Sequence, residues 1–223
     1  MHIVRFLSIL MGLGTVYITY LLGRALFPHT PLIALAAAAF TAFNPMFLFV
    51  SAAINNDNLS TLLASLLLLL IVRLIQGVKL SPRFHVLLGV VAGVGMLAKF
   101  QIGFMLPLVA LALLIASIRA HDWRPVVIGG AISGGLTILI AGWWYGRNYH
   151  LYGDATGINV FLDIVGRRAV PADWHQLWTE RDTFMMSFWG LFGGVNVPME
   201  SGIYSLFNLI AGVSVAGLIF GLL

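Results

Sequence analysis

HVLLGVVAGVGMLAKFQIGFMLPLVALALLIASI, His85 to Ile118, is a long apolar stretch with a single ammonium, Lys99, near its centre. As one helix it would run roughly 50 Å at about 1.5 Å per residue, against a hydrocarbon core of about 30 Å. Two shorter helices meeting at a turn near Lys99 fit both the length and the charge. The stretch is therefore expected to cross a membrane twice, and that choice fixes the sidedness of everything after it.

The rest of the chain supports lipid as the solvent. Of 223 residues, 60% are hydrophobic and 9% charged, whereas a soluble domain carries about 25% charged residues. Further apolar runs at 3–26, 31–54, 59–76, 126–145 and 203–223 are each long enough to span, giving about seven crossings in all. The helix before Lys99 is the shortest, and a re-entrant segment is its alternative. The opening run, MHIVRFLSILMGLGTVYITYLLGRALF, is too long for a signal peptide and has no small-residue cleavage site, so it reads as a retained span. The net charge of +4 comes from basic residues standing singly at the ends of apolar runs. They read as topology signals, and no nucleic-acid partner is expected. Absence of cysteine excludes disulfides, thiolate catalysis and cysteine-based metal centres.

Connections carrying Arg24 with His29, then Arg73, Lys79 and Arg83, then Arg119 and Arg124, alternate with connections carrying Asp57, Lys99 and the long segment from Arg147 to Ser201. The positive-inside rule assigns the first set to the cytoplasm. The expected organisation is an all-α polytopic membrane bundle over 1–145, an extracytoplasmic loop over 146–201 and a final span over 202–223. The loop holds six of the eight acidic residues. Residues 158–166 and 173–188 read as short interfacial helices separated by Pro171, and Trp143, Trp144 and Tyr145 as an aromatic belt. Glycines at 89, 93 and 95, and at 129, 130, 134 and 135, resemble a nucleotide loop only superficially. In apolar helices such spacing serves close backbone approach.

The polar run Asn55, Asn56, Asp57, Asn58 raises a separate question. One Asp or Asn there is explained by capping the helix that starts near Leu59; four in a row also suit a ligand site. Lys99 either snorkels into the headgroups or meets a phosphate as a point charge. Arg147 with Asn148 is an interfacial anchor or a phosphate clamp. His150, His175, Asp154, Asp163 and Asp173 lack metal-ligand spacing, so no protein-built metal site is expected.

Taken together, FNPMFLFVSAAINNDNL, GMLAKFQ, WWYGRNYHLYGDATG and SFWGLFGGVNVP resemble bacterial membrane proteins of the GT-C glycosyltransferase superfamily, akin to protein O-mannosyltransferases and aminoarabinose transferases. The resemblance implies sugar transfer from a polyprenyl-phosphate donor to an acceptor outside the cytoplasm, in an integral protein of the bacterial plasma membrane. Asp57 matches an acidic residue assigned to catalysis and Lys99 a lysine that meets the carrier phosphate. Asn56, Gln101, Arg147, Asn148 and Asp154 fall beside them on the substrate side. The cofactor is unknown, with a divalent cation open. The family's first helix and its principal catalytic carboxylate would precede Met1, and relatives continue past Leu223, so the sequence is expected to be a fragment. Two rival classes are a transporter or flippase segment for lipid-linked glycans and a non-catalytic envelope-assembly protein. A transporter places its polar groups near the midplane; here they gather at helix ends, which favours an enzyme.

Overall fold

A computed structural model describes residues 2–77 and 81–222; Lys79, read above as a loop cation, lies outside them, as do Met1 and Leu223. The chain is almost wholly helical. It runs α1 (His2–Leu26), α2 (Pro31–Ala42), α3 (Pro45–Ala52), α4 (Asp57–Ile75) and α5 (Pro82–Ala98), then a 3-10 turn (Phe100–Met105) into α6 (Leu106–Ala120). A long helix follows, in which π-helical turns at Pro125–Gly129 and Ile138–Gly142 flank α7 (Gly130–Thr137) and lead into α8 (Trp143–Tyr152). Then come α9 (Ile158–Val165), α10 (Trp174–Gly190), a two-stranded hairpin of β1 (Leu191–Phe192) and β2 (Val197–Pro198), and α11 (Ser201–Leu222). The hairpin is antiparallel, with Leu191 opposite Pro198.

Among the described residues, five helical stretches are long and apolar enough to span: His2–Leu26, Asp57–Ile75, Phe100–Ala120, Pro125–Tyr152 and Ser201–Gly221. The pair α2 and α3 makes a sixth if counted as one broken span. The chain is an integral, multi-pass membrane protein. The seventh expected crossing corresponds to α5, whose 17 residues fall short of the roughly 20 that a perpendicular span needs. The expected turn within 85–118 is present: α5 stops at Ala98 and Lys99 is extended (φ −158°, ψ 126°). The expected unbroken helix over 31–54 is not. It breaks at Phe43–Asn44 because Asn44 precedes a proline, which disfavours helical backbone at that position, and Asn44 Oδ1 instead accepts the amide of Phe47 (3.0 Å) and starts α3 afresh.

The chain divides into two compact units. The first comprises Met1–Ala42 with Val50–Arg167 and the second Phe43–Phe49 with Arg168–Leu223. In the first, Leu67, Ile71 and Leu74 of α4, Leu88 and Ala92 of α5, and Val109, Leu113 and Ala116 of α6 form one buried cluster. On its other side α4 meets α1 through Leu69, Ile18 and Ala25. Lipid tails are as apolar as leucine, so burial alone holds such helices weakly and close backbone contact matters more. Glycine supplies it here. A Cβ on Gly89 would lie 2.5 Å from the Ser133 carbonyl oxygen, and one on Gly23 2.7 Å from the Ala34 Cα. Across the first of these contacts the Thr137 hydroxyl donates to Gly89 O (3.2 Å).

The first unit has two distinct ends. At one, Gln76 Nε2 donates to Ala25 O (2.6 Å) and Arg119 Nη1 to Ile75 O (3.0 Å), gathering the C-termini of α1, α4 and α6, whose last turns carry Arg24, Arg73 and Arg119. The N-terminus of α4 and the C-terminus of α5 meet at the other. In the second unit, Trp189 Nε1 donates to Asn208 Oδ1 (2.8 Å) while its indole stacks on Phe207, and the Tyr204 hydroxyl bridges Gly190 O and Met199 N. These contacts tie the end of α10 and the residue that follows the hairpin to α11.

Candidate functional site

The site grows from the break at Lys99. Ending a helix strands its last carbonyls, and here side chains from two other helices satisfy them. Asn56 Nδ2, at the start of α4, donates to Ala98 O (2.9 Å), and the Tyr145 hydroxyl of α8 donates to Met96 O (2.8 Å). The same arrangement brings Lys99 Nζ onto Asp57 Oδ1 across 42 positions of sequence. Both members of the pair are partly exposed, at 37% and 40%, so the charges remain in reach of a ligand.

The polar run before α4 now divides by task. Asn55 Oδ1 accepts the Asn58 amide (3.3 Å) in the manner of a cap, and buried Asn58 turns its own amide back to Ala53 O (2.9 Å). Asn56 clasps α5. Asp57 does not cap the helix; its bonded oxygen is given to Lys99. Capping thus explains one of the four, and the other three fix the turn or face the neighbouring helix.

Beside the ion pair lies a cavity of about 380 Å³, lined by Asn56 and Met96 to Gln101, by Trp144 and Tyr145, and by Thr156, Gly157, Ile158 and Phe161. Lys99, Asn56 and Gln101 all contribute to its wall. Phe100, Trp144, Tyr145 and Phe161 give the lining its aromatic character, and Lys99 is the one charged residue among the described residues that form it. The segment carrying Thr156 and Gly157 is ordered by Asp154, whose carboxylate accepts from the Thr156 amide (2.9 Å) and hydroxyl (2.8 Å) and from the Asn159 amide (2.8 Å). These bonds favour the charged form, chiefly the one from Asn159, and hold the Asp154 pKa at about 2. Buried Asn148 reinforces the same segment through Ala155 O (3.4 Å). Arg147 is exposed, sits over the Trp144 ring (5.4 Å) and has no carboxylate partner among the described residues.

Of the expected site residues, the structure gathers Asn56, Asp57, Lys99 and Gln101 at one place. Arg147 stands on a wall residue of the cavity. Asn148 and Asp154 make their bonds within the 148–159 segment. The walls contributed by Tyr145, Thr156 and Phe161 had no signal in the sequence beyond aromatic-belt and turn composition. Among the described residues no group of three or more His, Asp or Glu is placed to hold a metal ion.

Farther along, α9 carries Ile158, Phe161, Leu162 and Val165 at the spacing of one helical face. Arg167 binds its other face, through Asp163 (2.9 Å) and Asn159 Oδ1 (3.1 Å). Exposed apolar residues on one side and a tied polar side on the other suit a helix lying at a membrane surface.

The molecule is thus an apolar multi-pass helical bundle with an ion pair and a cavity with aromatic lining residues at one helix end. A model of the dolichyl-phosphate-mannose-protein mannosyltransferase family matches residues 1–145, and the chain belongs to this family of GT-C-type membrane glycosyltransferases. No curated protein and no solved structure matches the chain significantly.

Proposed function

We propose that the protein serves transfer of a sugar from a polyprenyl-phosphate carrier to an acceptor hydroxyl on the extracytoplasmic face, at the cavity beside Lys99. The observation that carries this reading is the Asp57–Lys99 pair at the cavity's edge. As the bond between the sugar and the carrier phosphate breaks, negative charge grows on the departing phosphate. A fixed ammonium lowers the energy of that state most where water is scarce. Lys99 takes this role, with Arg147 as a second cation at the rim. Asp57 holds the ammonium toward the cavity with one oxygen. With the other it accepts a hydrogen bond from the acceptor hydroxyl and takes its proton as the new glycosidic bond forms and the carrier phosphate departs.

Trp144 and Phe161 give the sugar and the first isoprene units an apolar surface. Asn148 and Asp154 act at one remove, by holding the segment that bears Thr156 and Gly157. The part of the loop that lines the cavity, Thr156, Gly157, Ile158 and Phe161, then shapes the acceptor's approach. Family membership favours this over a transporter, as does the position of the charges at helix ends.

Photo-crosslinking tests the reading. A benzophenone-bearing polyprenyl phosphate, offered to the protein in nanodiscs, should label peptides containing Phe100, Trp144 or Phe161. Lys99→Ala should reduce labelling about tenfold, the loss of one charge-assisted contact, while Lys99→Arg retains most of it. Labelling confined to other helices, or indifferent to Lys99→Ala, would refute the assignment.

A further inference from the structure

A second cavity, of about 430 Å³, opens at the other end of the first unit, lined by Pro82, His85, Ala120, Asp122, Arg124, Pro125 and nearby residues of the π-helical turn. Its size falls within the roughly 300–1,000 Å³ of small-molecule sites. The catalytic proposal uses none of these side chains.

Three features make it a built site. First, His85 is 4% exposed, and its Nδ1 is buried with no hydrogen-bond partner. A buried polar nitrogen left unbonded costs about 1–3 kcal/mol, and the ring is seated where it is only because Gly129 has no side chain to collide with it. Second, the cavity holds two opposite full charges that do not neutralise each other. Among the described residues neither Asp122 nor Arg124 belongs to an ion pair. Asp122 Oδ1 accepts only the Arg124 backbone amide (3.0 Å), so the guanidinium and the second carboxylate oxygen stay open.

Third, the backbone bearing both charges is locked. The amides of His121 and Asp122 close on the carbonyls of Ile118 (3.3 Å) and Ser117 (3.2 Å), a Schellman ending with His121 in the left-handed region (φ 52°) where glycine is the usual occupant. The Ser117 hydroxyl then accepts the Val126 amide (3.1 Å). A strained residue and a π-helical turn at one place are features that recur at functional sites.

A ligand that satisfies this cavity carries an anion and a cation a short distance apart. We propose that it binds a phosphodiester bearing a primary ammonium, as in the head of an aminophospholipid, with the phosphate between Arg124 and His85 and the ammonium on Asp122. Arg suits the phosphate because its planar fork binds two oxygens at once. Ile128, an exposed apolar residue of the same turn, also lines the cavity and offers an acyl chain an apolar surface.

Native mass spectrometry of the purified full chain tests this, comparing phosphatidylethanolamine and phosphatidylglycerol with identical acyl tails. The wild-type protein should retain the former about tenfold better, and Asp122→Asn should erase that preference. Arg124→Gln should weaken both lipids, and His85→Phe, which keeps the ring's bulk, should do the same. Asp122 and Arg124 are exposed, so their substitutions leave folding intact. Soluble glycerophosphoethanolamine distinguishes the sources. Displacement of the lipid at millimolar concentration assigns the site to a water-borne diester of the same chemistry, and persistence of the lipid assigns it to the membrane. Equal retention of the two lipids, or indifference to Arg124→Gln, would overturn the proposal.

Discussion

The pairing of Lys99 with Asp57 is the residue-scale fact on which the proposed function rests, and its magnitude separates two roles. Pairs that are more than a third exposed contribute about 0–1 kcal/mol, and these side chains are 37% and 40% exposed. Asp57→Asn is therefore expected to shift the midpoint of thermal unfolding in detergent only slightly while sharply reducing transfer of sugar. A large loss of stability would mean that the pair is structural. Asp154 gives a second test, on pH. Its folded-state pKa of about 2 lies below the ordinary 3.8, so the ordering it provides is fully present above 3.8 and lost as pH falls through about 2. After correction for intrinsic rates, hydrogen exchange at the Thr156 and Asn159 amides should stay slow from neutral pH to about 4 and accelerate below it. Asp154→Asn should accelerate it at neutral pH and remove its dependence on pH.

At the scale of elements, the contact between α5 and the Ser133 turn predicts a pair of opposite outcomes. Gly89→Ala forces a methyl into the Ser133 backbone, which cannot move aside as a flexible side chain can. It should cost about 1–3 kcal/mol, the range for overpacked interiors. Gly134→Ala meets nothing within 4 Å and should be neutral or gain up to about 1 kcal/mol from the stiffer helix. Thermal unfolding of the two variants side by side checks this. The break at Lys99 was legible in the sequence because length and charge conflict there, and α9 and α10 lie close to their expected limits. The break before Pro45 carried an equally local signal, Asn-Pro, but the apolar run through it masked the turn. The two π-helical turns left no trace in composition. The capping of Ala98 and Met96 depends on residues tens of positions away, which periodicity along one helix cannot reveal.

For the molecule as a whole, the prediction concerns sidedness. Charge alternation in the sequence and hydrogen bonding in the structure agree that Arg24, Arg73 and Arg119 gather at one end of the first unit. Asp57 and Lys99 gather at the other. The chain has no cysteine, so single cysteines can be introduced without background. Asn55→Cys and Gln101→Cys, both at exposed positions, should react with an impermeant maleimide added to intact cells, and Arg73→Cys and His121→Cys only after permeabilisation. Labelling of Asn55→Cys and Gln101→Cys from opposite compartments would dismantle the site. The gathering of distant polar residues at one end was visible from charge order alone. Their contacts were not, because a membrane fold hides which helix neighbours which.

The second unit is assembled from two pieces of chain, and this has a consequence for biogenesis. Asn44 bonds Phe188 O across 144 positions, and Phe49 packs on Phe192. A ribosome adding about 5–20 residues per second leaves the earlier piece waiting on the order of ten seconds for its partner. During that interval the Asn44 amide and the Phe49 ring lack the partners they have in the finished fold, so a nascent chain arrested before Phe188 should be cut by protease within the 43–49 segment more readily than the completed chain.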